Sequence, residues 1–107
     1  MISAELFEEA SALVYSKVMQ AFDQLDPDIA EADFHLDNVT IVFSSGVKFI
    51  INRQPPVRQL WLATKKRGYH FNYDKATASW ICDHSQQEFY SILNEAIYSQ
   101  INLKLKF

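Results

Sequence analysis

The spacing of apolar residues changes twice along this chain, from a helical to a strand pattern and back again. This order of patterns restricts the possible folds more than any other feature of the sequence. From residue 4 to about residue 25, apolar residues recur at steps of three and four, which predicts an amphipathic helix. Ser3 is the predicted N-cap, and Pro27 marks the end of the helix. The helix is therefore expected to pack one apolar stripe against a core.

The middle of the chain alternates polar and apolar residues, a pattern typical of half-buried strands. The predicted strands span residues 33–36, 39–43, 47–52, 58–63, 69–73 and 79–82. Asp37-Asn38 is a predicted turn, and Pro55-Pro56 interrupts the pattern because proline cannot donate to a strand ladder. The connections are short, whereas parallel strands need crossovers of about a dozen residues or more, so the sheet is predicted to be antiparallel.

The end of the chain, from residue 85, returns to a helical pattern. Ser85-Gln86-Gln87-Glu88 is a predicted capping box, apolar residues at helical spacing follow from Phe89 to Ile101, and an extended tail closes the chain. The predicted fold class is α+β. One domain, residues 1–107, places two terminal helices on one face of an antiparallel sheet of about five to six strands.

One face of this sheet is expected to meet water. In the fourth strand Leu60 and Leu62 share one face, which leaves Trp61 on the other. A solvent-facing tryptophan on a rigid sheet is a good anchor for a protein partner. The alternative, that its own neighbours partly cover Trp61, stays open. Trp80 lies next to Ile81 in a short strand and is expected in the core.

The charges are distributed unevenly. Residues 1–40 carry nine carboxylates against one lysine, a net charge of −8, whereas residues 41–107 carry four carboxylates against nine basic residues, a net charge of +5. Such an asymmetry indicates that the protein binds a charged partner or an ion, and it carries little information about the fold. The acidic first half also makes nucleic acid an unfavourable partner.

Carboxylates are concentrated where the first helix ends. They are Asp23, Asp26, Asp28, Glu31 and Asp33, which we call the acidic ridge. A carboxylate at a helix C-terminus is unfavourable by about 0.3–1 kcal/mol, and sequences tolerate such conflicts mainly at functional sites. The ridge could attract a basic protein surface or hard divalent cations, which exposed carboxylates bind weakly. A solvated acidic face that only maintains solubility remains the alternative.

Four segments carry a resemblance to a known family. They are Asn52-Arg53-Gln54, the run from Gln59 to Lys65, Gly68-Tyr69-His70-Phe71 and Trp80-Ile81-Cys82-Asp83. Together they resemble the bacterial frataxins, the CyaY proteins, and the likeness covers nearly the whole chain. It implies a frataxin-like two-layer sandwich that binds iron (Fe²⁺ or Fe³⁺) weakly through an acidic ridge. It also implies a monomer, with iron-driven oligomers left open.

The resemblance also implies partners and binding residues. The partners are the cysteine desulfurase and the iron–sulfur scaffold complex, which the family serves as iron donor or regulator of cluster assembly. The metal-binding residues map onto the acidic ridge. The partner-binding residues map onto Asn52, Gln54 and Trp61, with Arg53 adjacent and His70 on the same wet face.

Three residues depart from the family pattern. Met19, Gln20 and Gln24 stand where bacterial members often carry carboxylates, so the ridge is thinner here. The number and affinity of iron sites therefore stay open. A metal-independent protein-binding module that uses the sheet face around Trp61 is the alternative function.

An enzyme is not expected. There is no Gly-rich phosphate loop, and Cys82 and His84 share one strand-to-helix junction with nothing to orient a base, so Cys82 is expected to be buried. No Glu-x-x-His motif supports a di-iron ferroxidase, although weak activity of that type stays open. No signal peptide, targeting segment or membrane span is evident, which together with one unpaired cysteine favours the bacterial cytoplasm.

Overall fold

The computed structural model describes residues 1–107 and places a single antiparallel sheet behind two helices. The helices are α1 (Ala4–Asp23) and α2 (Phe89–Ile101). The strands are β1 (Ala30–His35), β2 (Asn38–Phe43), β3 (Lys48–Gln54), β4 (Gln59–Ala63), β5 (Gly68–Asp74) and β6 (Ser79–Cys82). The six strands lie in sequence order, each antiparallel to its neighbours, as the short connections predicted.

Helix α1 begins as expected and ends slightly early. Ser3 is its N-cap, and its hydroxyl accepts a hydrogen bond from the Leu6 amide at 3.1 Å. The helix stops at Asp23, so Leu25 lies in the following loop, where it still packs against the core. Asp23 is thus the last helical residue, while Asp26 and Asp28 lie in the connection to β1.

The first hairpin turns one residue earlier than predicted. His35 pairs with Asn38, so the turn consists of Leu36 and Asp37. Both residues have a positive φ, 51° and 64°, as in a type I′ turn, whose twist matches that of the flanking strands. Strand β1 also starts at Ala30 rather than residue 33, which brings Glu31 into the sheet.

The predicted capping box at Ser85 is wrong. Glu88 is the N-cap of α2, and its own carboxylate accepts from the amides of Tyr90 and Ser91 at 2.9 and 3.2 Å. A bridge between Glu88 and Ile81 of β6 keeps Glu88 extended, so the helix cannot start earlier. The Ser85 hydroxyl instead accepts from the Gln87 amide within the loop.

Both helices cover the same face of the sheet, which confirms the two-layer arrangement. Twenty buried residues form one core, including Phe49 and Ile51 of β3 and Leu60 and Leu62 of β4. Trp80 is in this core, as predicted, with 3% of its surface exposed. The structure contains no helical stretch with the length and hydropathy needed to cross a bilayer.

The tail after α2 forms no further helix or strand and is tied back to α2. The Asn94 side chain donates to the Leu105 carbonyl at 2.9 Å and accepts from the Leu105 amide at 2.8 Å. The ring of Phe107 stacks on Tyr90 with centroids 5.1 Å apart.

Candidate metal- and partner-binding surfaces

The acidic ridge extends from the end of α1 onto the open face of the sheet. All five of its carboxylate residues are exposed. On β1, Ala32 pairs with the buried Ile41, so Glu31 and Asp33 must point to the opposite, open face. Because β1 is an edge strand, Glu31 and Asp33 lie at the border of that face.

No basic side chain of the protein neutralises the ridge. The two ion pairs in the chain are both made by Arg53, with Glu8 at 3.1 Å and with Asp37. The last turn of α1 also contains no basic residue. Within the ridge, the Asp28 amide donates one hydrogen bond to Asp26 Oδ1 at 2.9 Å, which partly offsets the negative charge of Asp26. The ridge therefore presents uncompensated negative charge to the solvent.

The ridge residues do not converge on a single point. No three of the chain's His, Cys, Asp or Glu side chains lie close enough to hold a metal ion together. Carboxylate oxygens suit hard and borderline cations, but one or two ligands leave an ion with most of its water. This geometry fits labile, weak cation binding and does not fit a closed metal cage.

Trp61 lies on the open face, as predicted, and is half-buried there by its neighbours. In the register across the sheet, it stands between Asn52 of β3 and His70 of β5. The indole stacks on the His70 imidazole, with ring centroids 4.1 Å apart and planes 10° from parallel. Its Nε1 donates to Gln59 Oε1 at 2.8 Å. These contacts hold the ring in one orientation.

Side-chain amides surround the stacked pair. Gln54 Nε2 donates to Asn52 Oδ1 at 3.1 Å, and Gln59 Nε2 donates to Asn72 Oδ1 at 3.2 Å. The whole group, which we call the sheet patch, comprises Asn52, Gln54, Gln59, Trp61, His70 and Asn72. Gln59 and Asn72 were not predicted as site residues, although their alternation with Trp61 and His70 indicates the same face of the sheet.

Arg53 does not share the face of the sheet patch. Side chains alternate along β3, so Asn52 and Gln54 face the solvent while Arg53 lies on the helix side. There its guanidinium stacks over the Tyr15 ring at 4.9 Å and bonds Glu8 and Asp37. Its side chain is only 13% exposed. Its predicted place beside the partner-binding residues is corrected accordingly.

The pKa values of Tyr15 and Arg53 are both raised, for different reasons. Burial raises the pKa of Tyr15 to about 12, although the nearby Arg53 cation opposes this shift. The hydrogen bond to Asp37 raises the pKa of Arg53 above its ordinary value. Tyr15 also donates to the Asp37 carbonyl at 2.8 Å. Tyr15, Asp37 and Arg53 thus link α1, the first hairpin and β3.

Cys82 is buried, with 2% of its surface exposed. Burial alone would raise the pKa of its thiol, but hydrogen bonds from Ser85 and from the His84 backbone outweigh burial and leave the pKa lowered. The predicted structural position is confirmed.

The sequence matches known proteins over most of its length. The family model described as frataxin-like domain matches residues 1–103. A protein of Pseudomonas fluorescens named iron-sulfur cluster assembly protein CyaY is 37% identical over 86 residues, covering 80% of this chain and 77% of the relative. A protein of the same name from Ectopseudomonas mendocina is 39% identical over 84 residues, covering 75% and 76%.

Solved structures match the fold. The frataxin from Psychromonas ingrahamii superimposes with a TM-score of 0.86 and 30% identity, covering 98% of this chain and 97% of that protein. A trimeric frataxin from the yeast Saccharomyces cerevisiae, complexed with ferrous iron, gives a TM-score of 0.65 and 19% identity, covering 96% and 88%. The second likeness concerns the fold alone.

Proposed function

This chain belongs to the frataxin family, and on that premise we propose that it is an iron-binding protein that modulates iron–sulfur cluster assembly. Its bacterial relatives are named for that assembly. We propose further that it acts as an iron donor or as a regulator of the cysteine desulfurase complex. In this proposal the acidic ridge docks on a basic surface of the desulfurase.

The observation that carries the proposal is the uncompensated charge of the ridge. Five exposed carboxylates crowd the negative end of the α1 dipole and the adjoining edge strand, and none has a basic partner within the protein. No basic residue within the protein offsets this arrangement, whereas a basic surface can contact several of the carboxylates and a cation one or two of them.

Iron is the proposed cargo. Since the ridge carboxylates do not converge, each ion would be held by few ligands and exchange readily, which suits delivery more than storage. Anaerobic titration with Fe²⁺, followed by NMR, tests this point. Paramagnetic broadening is expected at the amides of residues 23–33. Absence of broadening there would remove the metal role.

A matched pair of variants makes this test specific. Asp26 and Asp74 are both exposed, and each accepts a hydrogen bond from the amide two residues later, at 2.9 and 3.0 Å. Asp26→Asn should weaken Fe²⁺ binding, and Asp74→Asn should leave it unchanged. If both variants change Fe²⁺ binding equally, the ridge binds Fe²⁺ no better than other exposed carboxylates do.

Docking on the desulfurase is tested by its dependence on salt. Attraction between exposed charges is screened, so the affinity should fall as ionic strength rises. Asp26→Asn should weaken docking more than Asp74→Asn at low salt. An affinity that does not respond to salt would contradict docking led by the ridge.

The sheet patch supports the second candidate function, a metal-independent protein-binding module. Its central Trp61 is already oriented by His70 and Gln59, which reduces the entropy that a partner must overcome. If iron chelation leaves partner binding intact while His70→Ala weakens it, this module is the better description. If only substitutions in the acidic ridge weaken partner binding, the metal-independent module is the wrong description.

We propose that the protein acts as a cytoplasmic monomer without enzymatic turnover. The low exposure of its one thiol, 2%, supports only the absence of thiol-based turnover, because a nucleophile must reach its substrate. Sedimentation with and without Fe²⁺ tests the oligomeric state. Oxygen consumption in the presence of Fe²⁺ tests for ferroxidase activity.

A further inference from the structure

A third surface feature lies outside the acidic ridge and, except for His70, outside the sheet patch. A cleft of about 600 Å³ opens between the β4–β5 loop, the β6–α2 loop and the C-terminal half of α2. Nineteen residues line it, and only six of them are hydrophobic. Its volume falls within the range of roughly 300–1,000 Å³ that small-molecule sites occupy. Among the sheet-patch residues, only His70 reaches its wall.

Three consecutive cations line this cleft. Lys65, Lys66 and Arg67 form the β4–β5 loop, all three are exposed, and none makes an ion pair within the protein. The guanidinium of Arg67 lies 5.8 Å from the centroid of the Tyr69 ring, a cation–π contact that leaves its charge unneutralised.

Thr64 holds the β4–β5 loop through hydrogen bonds to its backbone, so the three charged side chains take no part in them. Its amide donates to the Arg67 carbonyl at 2.9 Å, and its hydroxyl accepts from the Lys66 amide at 3.3 Å. The backbone that carries the three cations is thus held in one conformation. Preformed positions reduce the conformational entropy that a ligand would otherwise have to offset.

The remaining lining is consistent with a polar ligand. The side-chain amides of Gln87 and Gln100 line the cleft and make no hydrogen bond within the protein. Asp83 and Glu95 also line it, and they leave the three basic side chains with a net excess of one positive charge. A monoanion would gain little there, since one exposed charge pair contributes about 0–1 kcal/mol. A ligand with several negative groups can engage two or three cations together.

We propose that this cleft binds a small multivalent oxyanion, a phosphate ester or a polycarboxylate, through Lys65, Lys66 and Arg67. The bounded volume favours a small molecule, and the excess of negative charge in the rest of the chain disfavours a long polyanion. The inference is independent of the proposed function, because neither iron nor the acidic ridge enters it.

Titration of the protein with pyrophosphate and, separately, with tricarballylate, followed by amide chemical shifts, tests the proposal. Shifts are expected in residues 64–68, 83–87 and 95–100, while sodium chloride at equal ionic strength should not reproduce them. The probe that binds more tightly identifies the source of the anion, and equal binding supports the shared chemistry. Absence of saturable shifts with either probe would overturn the proposal.

A matched lysine provides the control. Lys66 and Lys75 are both exposed loop residues, but Lys75 lies in the β5–β6 turn at the opposite end of the sheet. Lys66→Gln should weaken binding by about threefold, the scale of one exposed charge interaction, and Lys75→Gln should not change it. Equal weakening by both variants would mean general charge attraction and would overturn a site in the cleft.

Discussion

The indole of Trp61 and the imidazole of His70 stack face to face across β4 and β5, with ring centroids 4.1 Å apart. The two residues are direct cross-strand partners, so their stacking is set by the register of the sheet. The Gln59 side chain accepts from the indole and donates to Asn72, which continues the same surface. The sheet patch is therefore formed before any partner arrives.

Removing the imidazole should affect both stability and binding. His70→Ala is expected to lower the free energy of unfolding by about 0.5–1 kcal/mol, the scale of an aromatic cross-strand pair. The change should also shift Trp61 fluorescence, because the indole loses its cover. Urea denaturation followed by fluorescence measures both effects.

His35→Ala is the control for this substitution. His35 is exposed at the end of β1, and no aromatic pair or hydrogen bond of its side chain holds it in place. Its removal should change unfolding by less than about 0.5 kcal/mol. Equal destabilisation by the two variants would mean that the stack contributes nothing of its own.

Arg53 is expected to matter for stability rather than for the sheet patch. Arg53→Met removes charge-assisted hydrogen bonds to Glu8 and Asp37 and should lower the free energy of unfolding by about 1–3 kcal/mol. Arg53→Lys should recover only part of this, because an ammonium cannot bond both carboxylates in the same geometry. Urea denaturation should rank the parent protein as most stable, Arg53→Lys next and Arg53→Met as least stable.

The same variants test which side of the sheet Arg53 serves. Under conditions where Arg53→Met remains folded, binding through the sheet patch should be unchanged, since the guanidinium lies on the helix side. Arg67→Met, which replaces an exposed arginine, should change unfolding by less than about 0.5 kcal/mol. If Arg53→Met weakens partner binding as strongly as loss of the Trp61 stack does, the assignment of Arg53 is refuted.

The features that local sequence determines were predictable, and those set by distant segments were not. The Ser3 cap and the alternation around Trp61 depend on a few adjacent residues. Glu88 displaces Ser85 as N-cap because a bridge to Ile81 holds it extended, and a Leu36–Asp37 turn places a leucine at positive φ against its usual preference. The cleft is formed where the β4–β5 loop meets the β6–α2 loop and α2, segments that only the folded sheet brings together, so no local pattern reveals it.

Stability should decline at high pH because of buried phenols. The pKa of Tyr15 is raised by burial from 10.0 to about 12, so the unfolded chain releases this proton at a lower pH than the folded protein does. The contribution to stability is complete below pH 10 and is lost as the pH rises towards 12. Tyr90, whose pKa is also raised to about 12 by burial and then by Glu88, should add to the decline.

Denaturant unfolding across this pH range measures the effect. Tyr15→Phe should flatten the pH dependence, and it should also lower stability at neutral pH by about 1 kcal/mol through the lost hydrogen bond to the Asp37 carbonyl. Tyr15→Phe with a pH profile as steep as that of the parent protein would contradict the assignment.

The carboxylates of the acidic ridge are expected to lower the stability of the fold while they strengthen binding of Fe²⁺ and of the desulfurase. Asp23→Asn and Asp26→Asn remove negative charge beside the C-terminus of α1, so each should be neutral or raise the free energy of unfolding by up to about 1 kcal/mol. Salt or divalent cations should likewise raise the melting temperature of the parent protein, and less so that of the variants. Thermal unfolding at several salt concentrations measures both effects.

Asp37→Asn is the matched control, because Asp37 is an exposed acidic loop residue that does have a basic partner, Arg53. This substitution should destabilise the protein while leaving Fe²⁺ and desulfurase binding intact, the reverse of the ridge variants. A clear loss of stability in both Asp23→Asn and Asp26→Asn would show that the ridge carboxylates serve the fold. The charge left without a partner would then no longer argue for a binding role.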